Sequence, residues 1–309
     1  MSNDPASTLV QSSQVAAQEG ILTSIDVDAA ALIKLAEEKL DAGDYPGCIA
    51  ICEQILADFP RYNRAHFIKA KAMMPGLRYD QILNRVHWHL RPRSYVEIGV
   101  ARGGSMTRVA PETRAIGIDP APRIDRPITA RAKIYPVESD AFFERYDLLE
   151  ELGVNRLDVA FIDGLHIFEQ ALRDFINLER YSQPDTVILI HDCYPPTELS
   201  AARESVTDYW CGDVWRLIAV LCRHRPDLAV SVIPAFPSGL GLVTGLDAGS
   251  TLLSAHYDEF VEEALALPYP ATEADRDQWL PMLANDWEVI SEAMGSPGRA
   301  SGTGAAGVS

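Results

Sequence analysis

The chain has 309 residues, of which 47% are hydrophobic and 23% charged, proportions typical of a soluble globular protein with a sizeable core. Its formal net charge of −17 repels nucleic-acid phosphates and anionic lipids, so we expect neither as a partner. No apolar stretch approaches the roughly 18 residues that a membrane helix needs, and the first residues lack the basic and apolar regions of a secretory signal. We therefore expect a cytoplasmic protein that spans no membrane.

The composition changes along the chain and predicts five segments. Both ends are rich in small and polar residues without periodicity, which predicts flexible termini. A helical pattern precedes a longer region in which short apolar runs alternate with helical segments. The predicted segments are a flexible end over 1–26, helices over 27–76, an α/β domain over 77–247, C-terminal helices packed on that domain over 248–294, and a flexible tail over 295–309.

The spacing of the five cysteines shows no metal-binding or disulfide motif. They form no CxxC pair, and each lies inside an apolar or motif-bearing segment rather than at the spacing of a disulfide framework. We therefore predict reduced and mostly buried thiols at Cys48, Cys52, Cys193, Cys211 and Cys222.

The helical region before the α/β domain predicts a hairpin. Its segment LAEEKLDAGDYPGCIAICEQILADFP resembles one tetratricopeptide repeat, with Ala36, the turn at 43–45, Cys48 and Pro60 at the spacings of that repeat. Because a single repeat cannot form a solenoid, we favour an accessory hairpin that packs on the main domain or on a second copy over a peptide-binding array. A homo-oligomer or a protein partner that contacts 27–76 is the corresponding prediction.

Seven short apolar runs in the second half of the chain predict strands. The last two are joined by a stretch too short for the crossover that parallel neighbours require, so we expect the seventh strand to be antiparallel. The predicted fold is an α/β, Rossmann-like sheet of seven mostly parallel strands with helices on both faces. The predicted strands are Tyr95–Ile98, Ala115–Ile118, Lys133–Val137, Val159–Ile162, Thr186–Ile190, Leu228–Ile233 and Leu240–Thr244.

The first predicted strand leads into the glycine-rich run EIGVARGGS at 97–105. Glycines at such a strand exit let the backbone turn sharply and approach a ligand closely. The GxxxG spacing after an acidic residue is typical of an S-adenosylmethionine loop, whereas a dinucleotide site shows GxGxxG. The candidate cofactor residues are Glu97, Gly99, Gly103 and Ser105, and a tight turn without a ligand remains the alternative.

Acidic residues also follow the second and third strands. Asp119 comes about 20 residues after the glycine loop, where an acidic side chain accepts hydrogen bonds from both ribose hydroxyls. Ser139 and Asp140 follow the third strand in position to flank an adenine. For Ser139, a turn that opens the next helix is an equal alternative.

Two carboxylates follow the fourth and fifth strands, Asp163 and Asp192. Because parallel strands present their carboxyl ends at one edge, both side chains should emerge beside the cofactor loop. Paired carboxylates suit a divalent cation such as Mg²⁺, which prefers oxygen ligands. A helix N-cap is the alternative for each aspartate taken alone.

The runs VEIGVARGGS, GIDP, FIDGLHIFEQALRD and LIHDCYPP together resemble the metal-dependent O-methyltransferases of the macrocin O-methyltransferase and cephalosporin-hydroxylase-like type. The resemblance implies S-adenosylmethionine, Mg²⁺ and a small-molecule or sugar hydroxyl as acceptor. It also implies that Asp163 and Asp192 are metal ligands, that His191 fills a third ligand position, and that His166 is the general base.

Alternatives remain for the histidines and for the reaction. His166, three residues after Asp163, is either the base or a residue that holds the aspartate in place. His191 is either a ligand or a buried, hydrogen-bonded histidine. The aromatics Tyr209, Trp210 and Trp215 are expected to pack a lid rather than to wall an acceptor pocket. Rival functions are methyl transfer to nitrogen or carbon without a metal, and a non-catalytic scaffold with a vestigial fold.

Overall fold

The computed structural model describes residues 29–295. These described residues divide into two compact units, the first containing residues 29–73 together with Thr207–Tyr209, and the second containing the rest. The predicted flexible end at 1–26 and, apart from Gly295, the predicted tail lie outside the described residues.

The first unit is helical. Helix α1 covers residues 29–41, α2 covers Tyr45–Asp58 and α3 covers Asn63–Met73. Asp44 caps α2 by accepting a hydrogen bond from the Gly47 amide at 3.0 Å, which satisfies one of the free donors at the helix start. Small and apolar side chains fill the shared core, among them Ala36, Cys48, Cys52, Ile55, Ala65 and Ile68. The predicted helical segment is confirmed, while its likeness to a tetratricopeptide repeat stays a prediction.

The second unit is built on one seven-stranded sheet. Strands β1 to β5 are parallel, and β7 lies between β5 and β6 and runs antiparallel to both. The order is β3-β2-β1-β4-β5-β7-β6, which confirms the predicted Rossmann-like fold. The strands are β1 Ser94–Ile98, β2 Arg114–Ile118, β3 Arg131–Tyr135, β4 Val159–Ile162, β5 Val187–His191, β6 Ala229–Ile233 and β7 Leu240–Thr244.

Five of the seven strands differ from their predicted bounds. Strands β1, β2 and β6 differ by one residue at their first position, whereas β3 and β5 differ at both ends. The third ends at Tyr135 rather than Val137, because Pro136 has no amide hydrogen for the ladder. The fifth starts one residue later than predicted, since the Thr186 amide donates to the Gln183 carbonyl at 2.9 Å in the turn before the strand. It also extends through His191, which therefore lies in the last position of a buried strand.

Helices cover both faces of the sheet, as predicted. One face packs against α5 to α8 and α10, and the other packs against α4, α12 and a 3₁₀ turn. No helix within residues 29–295 is long and apolar enough to cross a membrane. The remaining elements are α4 Tyr79–Leu90, the 3₁₀ turn Met106–Arg108, α5 Ser139–Arg145, α6 Leu148–Leu152, α7 Phe168–Glu179, α8 Trp215–His224, α9 Leu252–Ala255, α10 Tyr257–Ala266, α11 Glu273–Trp279 and α12 Trp287–Ala293.

A buried ion pair joins the end of α7 to the connection between α8 and β6. The Arg225 guanidinium, 2% exposed, donates two bonds of 2.8 Å to the Glu179 carboxylate and further bonds to Asp227. A buried carboxylate left without its cation is strongly destabilising. Arg225 therefore holds the far end of the helix whose N-terminus reaches the candidate site.

We predict that Arg225→Met lowers the free energy of unfolding by about 3–5 kcal/mol, because it leaves Glu179 buried and unpaired. Arg223→Met, at an exposed pair with Glu263, should lower it by less than about 1 kcal/mol. Denaturant unfolding of both variants and of the double variant Arg225→Met/Glu179→Met measures the difference. Equal losses at the two arginines would contradict the account, and the double variant should recover part of the loss.

Candidate active site

The loops after β1 and β4 touch at the carboxyl edge of the sheet. Gly99, directly after β1, has a φ of +89°, and a Cβ there would lie 1.8 Å from the Asp163 carbonyl oxygen. Only glycine avoids both the backbone strain and this clash. The first predicted cofactor glycine is therefore required for the close approach of the two loops.

Glu97 lies beneath the glycine loop. Its carboxyl group is fully buried and accepts hydrogen bonds from the Tyr95 hydroxyl, at 2.7 Å, and from the Ser105 hydroxyl. Burial raises the pKa of Glu97 to about 8, although both hydrogen bonds act in the opposite direction. Glu97 and Ser105 therefore brace the loop from within.

Asp119 ties the loop after β1 to the loop after β2. Its two carboxylate oxygens accept hydrogen bonds of 2.7 Å from the amides of Ala101 and Ala121. Gly103 closes the same loop with a φ of +77° and a bond from its amide to the Val100 carbonyl at 2.8 Å. Because each carboxylate oxygen has a second lone pair, Asp119 can still accept bonds from a ligand's hydroxyls.

Ser139 and Asp140 begin α5 and face side chains of α7. The Ser139 hydroxyl donates to Asp174 at 2.6 Å, and the Asp140 carboxylate accepts from Arg173 at 2.9 Å and from Gln170 at 3.2 Å. Ser139 is the first residue of the helix, and Glu138 occupies the cap position without a side-chain bond. Both candidates thus belong to a polar network between the two helices.

Asp163, His166, His191 and Asp192 converge at the ends of β4 and β5. The Nδ1 atom of His191 lies 3.1 Å from Asp163 Oδ1 and 3.4 Å from Asp192 Oδ1. His166 lies between the same carboxylates, with Nε2 at 3.4 Å from Asp163 and Nδ1 at 3.2 Å from Asp192. One ligand atom from each of Asp163, His191 and Asp192 falls within 4.8 Å of the other two, a spacing that suits a metal ion.

The two aspartates of this group are negatively charged, and the two histidines gain positive charge from them. Burial alone would lower the pKa of His166, but the Asp192 and Asp163 carboxylates outweigh it and raise the pKa to about 9. The same carboxylates raise the pKa of His191 well above its ordinary value against the effect of burial. In turn, the imidazoles overcome the burial of Asp163 and hold its pKa well below the usual range. Positive charge is therefore needed between these carboxylates.

Two of these residues have strained backbones. His166 and Asp192 have φ values of +58° and +63°, in the left-handed region that costs a non-glycine residue about 1–3 kcal/mol. Gly212 packs against the first of them, because a Cβ at Gly212 would lie 1.7 Å from the His166 carbonyl oxygen. The amide of Asp213 donates to that carbonyl at 3.3 Å. Such strain persists only where the surroundings fix the conformation, as they do at functional sites.

Several residues that the sequence analysis did not select support the site. The Tyr79 ring lies 4.4 Å from the His191 ring, and the Ser238 hydroxyl lies 3.5 Å from His191 Nε2. Asp213 is fully buried and accepts a bond from the Phe168 amide at 2.8 Å, which caps α7. Asp174 lines the same small cavity as the histidines and is buried, which raises its pKa to about 6. Of these, only Asp213 carries a sequence signal, an acid next to glycine in an apolar stretch.

Of the aromatic residues after β5, one packs in the core and another lies beside the candidate site. Trp215 is buried in the core, as the packing interpretation predicts. The Trp210 ring lies 5.3 Å from the His166 ring, and its Nε1 donates to the Ala202 carbonyl at 2.6 Å. Tyr209 belongs to the first unit.

Comparison with known proteins gives the candidate site a family context. Residues 96–193 match the family model of a methyltransferase domain, and this span contains every residue that the sequence analysis selected as cofactor, metal or catalytic. This stretch of the chain is similar to a methyltransferase domain. The predicted methyltransferase class is therefore confirmed, while metal dependence and the type of acceptor stay predictions. No curated protein matches the sequence.

Three solved structures each resemble part of the chain. The O-methyltransferase TomG from Streptomyces achromogenes is 15% identical, with 53% of this chain and 78% of that chain covered and a TM-score of 0.42. Cofactor-bound Rv0187 from MTB is 14% identical, with coverage of 62% and 95% and a TM-score of 0.44. An O-methyltransferase from Bacillus cereus bound to SAH is 15% identical, with coverage of 64% and 90% and a TM-score of 0.40.

We predict that Glu97→Gln changes the pH dependence of stability. Because the folded-state pKa of Glu97 is raised from 4.5 to about 8, its contribution to stability declines as the pH rises through that window. Glutamine keeps the neutral form at every pH, so the variant should gain stability relative to the wild type between about pH 5 and 8. Denaturant unfolding at several pH values measures the gap. A gap that stays constant with pH would contradict a protonated Glu97.

Proposed function

We propose that this chain is an S-adenosylmethionine-dependent O-methyltransferase that uses a divalent cation and acts on a small-molecule hydroxyl. The observation that carries the proposal is the convergence of Asp163, Asp192 and His166 beside the glycine loop of a methyltransferase domain. Two carboxylates and an imidazole at that edge supply what transfer to oxygen requires, a cation site and a base.

The cofactor side of the site would be formed by the loops after β1, β2 and β3. Asp119 would accept hydrogen bonds from the ribose hydroxyls of S-adenosylmethionine, whose sulfonium supplies the methyl group. Gly99 and Gly103 would let the backbone approach the ligand, and Ser139 and Asp140 would flank the adenine. Glu97 and Ser105 would act from below, by holding the loop in its ligand-binding conformation.

The residues present fit a divalent cation. The Nδ1 atoms of His166 and His191 and the Oδ2 atom of Asp192 are buried without a hydrogen-bond partner, although opposite charges lie close by. Asp163, Asp192 and His191 would hold the ion through two oxygens and one nitrogen. A cation bound there would lower the pKa of the acceptor hydroxyl and orient its oxygen toward the methyl group.

His166 would take the proton of the acceptor hydroxyl. Its ring lies between the two carboxylates, and the left-handed backbone together with Gly212 fixes its position. A base has to be neutral before it accepts a proton, and positive charge near Asp163 and Asp192 favours the neutral imidazole. The neighbouring Trp210 ring would help to exclude water from that proton.

The central test is His166→Ala with S-adenosylmethionine labelled in its methyl group and a panel of phenols, sugars and other hydroxyl compounds. On an acceptor that the wild type methylates, we expect kcat to fall about 10²- to 10⁴-fold while calorimetric cofactor affinity stays within a few-fold. The remaining activity should rise with pH where the wild type has levelled off, because an acceptor that ionises by itself needs no base. His256→Ala, at an exposed histidine outside the site, is the matched control.

The other outcomes separate the rival functions. Recovery of His166→Ala by added metal alone would show that this histidine only orients Asp163. Wild-type turnover that survives EDTA would favour metal-independent transfer to nitrogen or carbon. An absence of calorimetric binding of S-adenosylmethionine would favour a non-catalytic scaffold, in which residues 27–76 would serve as the partner-binding segment.

A further inference from the structure

We infer that His191 makes the candidate metal centre a mixed nitrogen and oxygen site that prefers first-row transition cations such as Mn²⁺ and Co²⁺ to Mg²⁺. The inference rests on the proposed function, because it takes Asp163 and Asp192 as ligands of a divalent cation. It goes further by stating which atom of His191 binds the cation and which class of metal this atom selects.

The position of Nδ1 fits that of a ligand. Two donor atoms bound at right angles to an ion at ~2.1 Å lie about 3 Å from each other. His191 Nδ1 lies 3.1 Å from one oxygen of Asp163 and 3.4 Å from one oxygen of Asp192. This nitrogen therefore lies at ligand spacing from both carboxylates.

The surroundings of His191 fix its ring in that orientation. Only 8% of the residue is exposed, and the ring lies 4.4 Å from the ring of Tyr79 and 6.1 Å from that of Phe161. On the opposite side, the Ser238 hydroxyl lies 3.5 Å from Nε2. A proton on Nε2 that is donated to Ser238 leaves the lone pair of Nδ1 directed at the carboxylates, an arrangement typical of metal-binding histidines.

Within residues 29–295, no further carboxylate or cysteine takes the place of this nitrogen. Among the described residues 29–295, the acids, cysteines and histidines with ligand atoms close enough to share an ion are Asp163, His191 and Asp192. The thiol of Cys193, the next residue along, faces the Ile190 carbonyl at 3.3 Å and is buried against Gly241. The third protein donor is therefore an imidazole.

The donor set determines which metal the site selects. Mg²⁺ favours oxygen ligands and loses its waters reluctantly, whereas imidazole suits transition metals. Affinity at a nitrogen-containing site also rises along the series from Mn²⁺ to Co²⁺. Exchange of the nitrogen for an oxygen at the same reach should therefore shift the preference toward Mg²⁺.

The test is His191→Asn, because the amide oxygen of asparagine has the same reach as Nδ1 and adds no charge. Pulsed electron paramagnetic resonance of bound Mn²⁺ detects the ¹⁴N coupling of a directly bound imidazole, and Co²⁺ and Mg²⁺ are measured by their competition with Mn²⁺. We expect the coupling in the wild type and in the control His256→Asn, and its loss in His191→Asn. The ratio of Co²⁺ affinity to Mg²⁺ affinity should fall about 10- to 100-fold in His191→Asn, the size of effect that a metal-orienting residue has on affinity.

The outcomes distinguish this inference from the proposed function. If Mn²⁺ binds without imidazole coupling, or if the coupling persists in His191→Asn, His191 is not a ligand, and the proposed cation site is unaffected. A complete absence of Mn²⁺ binding to the wild type overturns both. If His191→Asn does not fold, Ser238→Ala serves instead, since loss of the bond to Nε2 should weaken Co²⁺ binding about tenfold and change Mg²⁺ binding less. Equal changes for the two metals would contradict the inference.

Discussion

The mutual attraction of two carboxylates and two imidazoles at one sheet edge is the interaction on which the candidate site depends. Asp192 is 3% exposed and His191 is 8% exposed, so their charges are largely removed from water. An unpaired buried charge would destabilise the fold by several kcal/mol, whereas these groups lie within 3.1 to 3.4 Å of opposite charges. The same positions that satisfy the charges also place the donor atoms at the spacing of metal ligands.

The surrounding chain fixes that arrangement through close backbone contacts. Gly99 lets the loop after β1 meet the carbonyl of Asp163, and Gly212 does the same at the carbonyl of His166. Asp213 joins the loop at His166 to α7, since its amide donates a hydrogen bond to the His166 carbonyl and its carboxylate caps the helix. A loop fixed at both ends keeps side chains within the narrow tolerances that catalysis requires.

The seven strands, the antiparallel seventh strand and the placement of most candidate residues at one sheet edge could be predicted because they depend on local signals. A parallel strand followed by glycine or aspartate places that residue at the carboxyl edge, which is why the sequence predicts the position of Gly99, Asp119, Asp163 and Asp192 at this edge. The end of β3 was predicted wrongly because the apolar run continues past Pro136, whose missing amide hydrogen stops the ladder.

The supporting residues could not be predicted because their contacts join distant parts of the chain. Tyr79 lies more than 100 residues before His191 in the sequence, and Ser238 lies 47 residues after it. No sequence motif links either residue to the histidine. The buried pair of Arg225 and Glu179 likewise depends on where the end of α7 meets the turn before β6. Such contacts depend on which side chains are buried and on where they point, and both are known only once the chain has packed.

A crystal structure of the protein soaked with S-adenosylhomocysteine and Mn²⁺, with anomalous scattering recorded to locate the metal, tests whether cofactor and metal bind at this sheet edge. We expect one manganese peak bound by carboxylate oxygens of Asp163 and Asp192, with the ribose hydroxyls of the ligand on Asp119. A ligand bound as predicted with manganese absent from this edge, or a ribose away from Asp119, would contradict this expectation.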